Sequence, residues 1–128
     1  PRIPLLILNK DISQQLKEKE VTDLINSNPT SIKEIRKVLE AAIKSHNLKI
    51  VKIIIENYSK DKYNPVYYSN ENKYKSLFNL AISYKNKEII EYITETLNYD
   101  PQDCLKIAIN MEFYSVATYI IEIFPIMI

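Results

Sequence analysis

The stretch that decides the fold reads Ala42-Ile43-Lys44-Ser45-His46-Asn47-Leu48-Lys49-Ile50-Val51-Lys52-Ile53-Ile54-Ile55-Glu56. Its pattern is Ala-Ile, a short polar gap, an apolar pair, and a second apolar pair that leads to glutamate. The same pattern returns without gaps at residues 81–95 and 108–122. A large apolar residue stands three positions before each alanine, at Leu39, Phe78 and Leu105. Such self-similarity predicts a repeat architecture.

Each repeat predicts two short antiparallel helices. In the first repeat, the apolar residues between Ile32 and Ile43 recur at the spacing of one helix face. Ser31 and Glu34 form a capping box at its start. The predicted helices span about 31–45 and 48–58, then 76–84 and 87–97, then 101–110 and 113–124.

The third repeat has the clearest start signal. Asp100 is a predicted cap residue and Pro101 occupies the first helical position, where proline is favoured. One helical hairpin cannot bury its own apolar face, so the repeats are expected to stack. The alanines at 42, 81 and 108 are small enough to allow close helix approach at the same place in each repeat.

The N-terminal segment, residues 1–30, predicts one helix from Ser13 to about Asn26. We interpret it as the second helix of a degenerate repeat. Residues 31–128 form the predicted repeat domain, with units at about 31–58, 76–98 and 100–124. The predicted fold class is therefore all-α, a short solenoid of about three helix-turn-helix repeats plus the N-terminal helix, with six or seven helices in total.

At these positions the chain resembles the ankyrin repeat, whose unit reads approximately T-P-L-H-x-A-A-x-x-G-H-x-x-I-V-x-x-L-L. The resemblance covers residues 32–124. The family's apolar positions are filled three times, by Leu39, Ala42, Ile50, Val51, Ile54 and Ile55, by Phe78, Ala81, Ile89, Ile90 and Ile93, and by Leu105, Ala108, Val116, Ala117, Ile120 and Ile121. Tetratricopeptide and HEAT-like units are alternative paired-helix repeats.

The departures from the family concern glycine and the T-P-L-H opening, which is missing. The chain has no glycine, and His46, Lys85 and Glu112 replace the family's glycine. Any left-handed helix cap must therefore fall on asparagine or another non-glycine residue. Comparable glycine-poor ankyrin-like proteins occur in large DNA viruses, intracellular bacteria and AT-rich protists, so a viral or pathogen origin is one implication.

The resemblance implies an intracellular protein–protein interaction module, cytoplasmic or nuclear, or in the host cytoplasm for a viral or pathogen protein. Its partner, another protein, would bind the concave face, the connector tips and the exposed ends of the first helices. The implied partner-binding residues at the helix ends are Lys44, Ser45, Ser83, Tyr84, Asn110 and Met111.

The connector at residues 59–75 is longer than usual for such a repeat and rich in tyrosine. Exposed tyrosines supply large contact areas at low entropy cost, so we expect a projecting aromatic finger in which Tyr63, Tyr67 and Tyr68 contact the partner. The alternative is the composition of an AT-rich genome, because isoleucine, lysine, asparagine and tyrosine make up nearly half of the chain.

Composition argues against several other functions. Lysine and arginine (17) nearly balance aspartate and glutamate (16), which favours neither nucleic acid nor a membrane surface as partner. His46 and Cys104 are the only histidine and cysteine, so we expect no metal, no cofactor and no enzymatic activity. A hydrolase-type enzyme is disfavoured for lack of a nucleophile–base set. The main alternative function is a structural or oligomerisation domain that docks, for instance as a homodimer, through the apolar residues 120–128.

Overall fold

The computed structural model of the chain describes residues 2–27, 32–68 and 77–125. These residues form eight α-helices and no strand, which confirms the all-α prediction. The helices are α1 (Arg2–Leu8), α2 (Gln14–Asn26), α3 (Ile32–Lys44), α4 (Leu48–Asn57), α5 (Leu77–Ser83), α6 (Lys87–Leu97), α7 (Pro101–Asn110) and α8 (Tyr114–Ile123). The chain divides into two compact units, residues 1–67 (unit 1) and 68–128 (unit 2).

The predicted helix pairs are present as hairpins, α3 with α4, α5 with α6, and α7 with α8. The residues that stand at the family's glycine position adopt left-handed backbone angles in all three turns, with φ of 59° at His46, 53° at Lys85 and 62° at Glu112. Each of these amides donates to the carbonyl three residues earlier, and the amides of Asn47 and Phe113 reach back to the carbonyls of Ala42 and Ala108. This is the Schellman arrangement that closes a helix C-terminus.

The turn also begins the next helix. The side-chain oxygens of Asn47 and Asn86 accept hydrogen bonds from the amides of Ile50 and Ile89, which caps α4 and α6. Phe113 occupies the same position before α8 and provides no side-chain cap. Asp100 caps α7 as predicted, and Pro101 follows it at the helix start. The predicted caps Ser31 and Ser76 lie outside the described residues.

In unit 1 the prediction of one N-terminal helix is wrong, because residues 1–30 contain both α1 and α2. Pro4 is compatible with α1 because the amides of a helix's first turn have no partner within the helix. α1 packs on α3, and α2 packs on α4. The side-chain amides of Gln14 and Asn47 exchange two hydrogen bonds of 3.0 and 2.9 Å, which join the start of α2 to the start of α4.

The described part of the connector folds onto unit 1, so the expectation of a projecting finger fails there. Val66 and Tyr67 are buried, and the Arg36 guanidinium donates a hydrogen bond to the Pro65 carbonyl. The Asn64 side chain accepts from the Val66 amide, which shapes a tight turn. An arginine 29 residues away thus anchors a segment that local sequence marks only as a loop.

In unit 2 the two hairpins meet mainly through α5 and α8. Phe78 of α5 is fully buried, and its ring lies 6.1 Å from that of Phe124 and 5.5 Å from that of Tyr99, measured between centroids. The three repeat alanines, Ala42, Ala81 and Ala108, are all buried, as their predicted role in close packing requires.

Candidate functional site

The three hairpin turns place most of the predicted contact residues at the surface. Lys44, Ser83, Tyr84, Asn110 and Met111 are all exposed, and Ser45 is half-buried. The hydroxyls of Ser45 and Ser83 donate to carbonyls one turn earlier in their own helices, at 2.8 and 2.9 Å from Ala41 and Asn79. These two serines therefore help to end their helices, while Tyr84 and Met111 present apolar surface to solvent.

Beside the turn that contains Ser83 and Tyr84, unit 2 has an open groove of about 350 Å³. One wall is Lys85, the left-handed residue of that turn. The other wall is a face of α8, formed by Tyr114, Ser115, Thr118, Tyr119 and Glu122.

Two contacts fix the groove. The Tyr119 hydroxyl donates a hydrogen bond of 3.2 Å to the Lys85 carbonyl, and the Lys85 ammonium lies 5.8 Å from the centroid of the Tyr119 ring. A cation at that distance from an aromatic ring is attracted to its face. The carbonyl and the side chain of Lys85, the left-handed residue of the turn, thus both engage Tyr119. The groove is thus held by the turn itself.

The lining of the groove is chemically mixed. It offers an ammonium, a carboxylate, two aliphatic hydroxyls and two phenol rings, and the Tyr114 ring is 62% exposed. Such a surface can stack against an apolar side chain while it exchanges hydrogen bonds with a peptide backbone. Tyrosine and serine side chains also dominate the recognition loops of antibodies.

The connector tyrosines behave differently from one another. Tyr63 is 62% exposed, with the Lys62 ammonium 5.6 Å from its ring centroid. Tyr68 is half-buried. The expectation that Tyr67 is a surface contact is wrong, because it is only 2% exposed.

The α8 wall of the groove is not among the predicted site residues. A signal for it exists in the repeat alignment, because Ser115 and Thr118 align with Lys49 and Lys52 of the first repeat and with Glu88 and Glu91 of the second. The third repeat carries uncharged hydroxyls where its predecessors carry charges. In the sequence itself, that change distinguishes the outer face of α8 from the corresponding faces of α4 and α6.

The remaining observations concern metal binding, the single cysteine and histidine, and membrane spans. No group of three or more histidine, cysteine, aspartate or glutamate side chains is placed to hold a metal ion among them. Cys104 is buried in α7, and His46 occupies the exposed turn after α3. Of the helices within the described ranges, none is both long and apolar enough to cross a membrane.

Comparison of the chain with protein-family models, with curated proteins and with solved structures found no match.

Proposed function

We propose that this chain is a protein-interaction module built from ankyrin-like hairpins, and that it binds its partner through the groove of unit 2 and the adjoining turn. The observation that carries the proposal is the pair of exposed tyrosines at this place. Tyr114 borders the groove, and Tyr84 directly precedes the groove residue Lys85. Tyrosine is among the residues most enriched in the hot spots of protein interfaces.

The ankyrin-like assignment is supported by the turns. Three residues at the family's glycine position, none of them glycine, adopt the left-handed conformation for which glycine is favoured. The alanine of each repeat is buried and precedes its turn by four residues in every case. In unit 1, moreover, first helix packs on first helix and second on second, as stacked repeats require.

An intracellular location belongs to the same proposal. The chain has a single cysteine, so it cannot form an internal disulfide, and that cysteine is buried. Proteins that work in oxidising compartments more often carry paired cysteines. Fractionation of cells that produce the tagged chain would test this, and recovery from the secreted fraction would contradict it.

The binding proposal is tested with selected ligands. Peptides are selected from a displayed random library on the wild-type chain, and their dissociation constants are measured by fluorescence polarisation. The double variant Tyr84→Ala/Tyr114→Ala should weaken binding at least about thirtyfold, the scale of an aromatic hot spot. Its stability should change by less than about 0.5 kcal/mol because Tyr114 is largely exposed and Tyr84 lies at a surface turn.

The matched control is Tyr63→Ala, which removes a tyrosine of equal exposure from unit 1. It should leave the affinity of groove-selected peptides unchanged. If Tyr63→Ala abolished binding and the double variant did not, recognition would lie on the connector and the groove proposal would fail.

A further inference from the structure

The third hairpin, α7–α8, exposes apolar residues at repeat positions that are buried elsewhere in the chain. Ile43 and Ile82 occupy the same position in the first two repeats and are fully buried, whereas Ile109 is 48% exposed. At a second position Ile55 is fully buried, and its third-repeat counterpart Ile121 is 41% exposed. The third repeat therefore has large apolar side chains at positions that are buried in other repeats, but here these side chains are exposed to solvent.

Phe113 strengthens this observation. Asparagine stands at the same position in the other two repeats and caps the following helix, but Phe113 leaves α8 without a side-chain cap and is itself 47% exposed. Replacing a cap by a large exposed apolar residue is unfavourable for an isolated hairpin. It becomes favourable when the phenyl ring is buried by another molecule.

We infer that Ile109 and Phe113, with the flanking Lys106 and Glu112, form a self-association surface, and that the occupant is a second copy of this chain docked through the same residues. Charge complementarity selects this occupant. Lys106 lies three residues before Ile109 and Glu112 three residues after it, and both side chains are exposed. Neither has an ion-pair partner among the described residues.

A two-fold axis beside Ile109 makes the surface complementary to itself. When two copies meet antiparallel at Ile109, Lys106 of α7 in each copy faces Glu112 in the turn that follows α7 of the other copy, and the two pairs flank the isoleucines. An interface of this isologous kind is the commonest way in which identical chains associate.

Sedimentation velocity over a range of concentrations tests the inference on the full chain. The wild type should show a monomer–dimer equilibrium. Ile109→Asp should weaken dimerisation at least about a hundredfold, because a buried unpaired carboxylate is strongly disfavoured. Leu5→Asp is the matched control: it places the same charge on a leucine of unit 1 that is 68% exposed, and it should leave the dimer intact.

Four further variants separate docking from folding. Phe113→Asn supplies the cap of the other two turns, so it should raise the thermal midpoint of the monomer while it weakens the dimer. Lys106→Glu and Glu112→Lys should each weaken the dimer, and the double exchange should restore it. A wild type that stays monomeric, a dimer insensitive to Ile109→Asp, or a double exchange weaker than both single variants would overturn the inference.

Discussion

The two units use the same hairpin but assemble it differently. In unit 1, α1 packs on α3 and α2 on α4, so the two hairpins are stacked in register. In unit 2 the principal contact joins α5 to α8, the first helix of one hairpin to the second helix of the next. Hairpin geometry alone therefore does not decide how one repeat meets its neighbour.

Side chains at the turns account for part of the difference. In unit 1 the amide pair of Gln14 and Asn47 ties the starts of the two second helices together. In unit 2 the third repeat has Phe113 where that asparagine would stand, so it lacks such an amide. There the links are the rings of Phe78 and Phe124 and the hydrogen bond from Tyr119 to the turn at Lys85.

The units also differ in charge. Residues 1–67 contain 12 basic and 8 acidic side chains, a net charge of +4, whereas residues 68–128 contain 5 and 8, a net charge of −3. The near-neutral total hides this asymmetry. Equivalent exposed positions carry Lys49 and Lys52 in α4 but Glu88 and Glu91 in α6. Because these side chains are exposed to solvent, the fold accepts a positive or a negative charge at these positions.

The largest expected effect comes from removing the aromatic centre of unit 2. Phe78→Ala should cost about 3–5 kcal/mol, because it empties a fully buried site against Tyr99 and Phe124. Hydrogen exchange should show the loss of protection in α5 and α8. Leu39→Ala, at the equivalent buried position of unit 1, should cost about 2–5 kcal/mol and affect α3 first. Loss of protection spread evenly over both units by either variant would show that they do not unfold separately.

The repeat alanines test whether the shared position works alike in both units. Ala81→Leu should overpack the second repeat and cost about 1–3 kcal/mol in urea unfolding. Ala42→Leu should behave similarly, because both alanines are fully buried. Glu95→Leu, at an exposed position of α6 in the same hairpin as Ala81, is the control and should change stability by less than about 0.5 kcal/mol. An unchanged midpoint for Ala81→Leu would mean that the repeat register is wrong.

Replacing the left-handed turn residues by glycine should increase the free energy of unfolding. A non-glycine residue in this conformation is disfavoured by about 1–2 kcal/mol, part of which glycine gives back through its greater freedom when unfolded. His46→Gly in unit 1 and Glu112→Gly in unit 2 should each stabilise by about 1 kcal/mol at most. Asn98→Gly should gain less, since asparagine tolerates the same conformation, which it adopts here with φ of 56°. Destabilisation by both glycines would show that the native side chains make contacts worth more than the strain.

Most of the helical framework was predictable because its signals are local. Helices α2 to α8 follow from apolar periodicity and from caps such as Asp100, and their ends match the prediction within a few residues. The left-handed angles at His46, Lys85 and Glu112 were not predictable in this way, because none of these residues is the glycine that such a turn favours. α1 was missed because it is only 7 residues long and contains Pro4, so it has little periodicity of its own.

The features that were not predictable depend on residues far apart in the chain. Tyr67 lies among turn-forming residues, and its burial accompanies a fold-back that is anchored by Arg36. The groove needs Tyr119 to reach a carbonyl 34 residues earlier. Of the candidate site, only the exposed helix ends could be proposed from the sequence, because nearby residues determine where a helix ends.

The smallest expected effect compares the surface ion pairs of the two units. In unit 1 the Lys19 ammonium lies 2.8 Å from the Asp23 carboxylate, whereas in unit 2 the pair Lys87 and Glu91 is separated by 3.8 Å. The hydrogen bond from Lys19 to Asp23 and the attraction between their charges raise the pKa of Lys19 above its ordinary value of 10.5. A lysine whose pKa is higher in the folded chain stabilises the fold fully at pH below its unfolded pKa. That contribution is lost as the pH rises through the folded pKa. The effect should be slight and weaken with salt, because Lys19 is exposed.

Titration of the lysine side chains by NMR should therefore show the Lys19 pKa fall towards 10.5 in the Asp23→Asn variant. It should not move in the Glu91→Gln variant, and a Lys19 pKa indifferent to Asp23→Asn would mean that the short contact is not populated in solution.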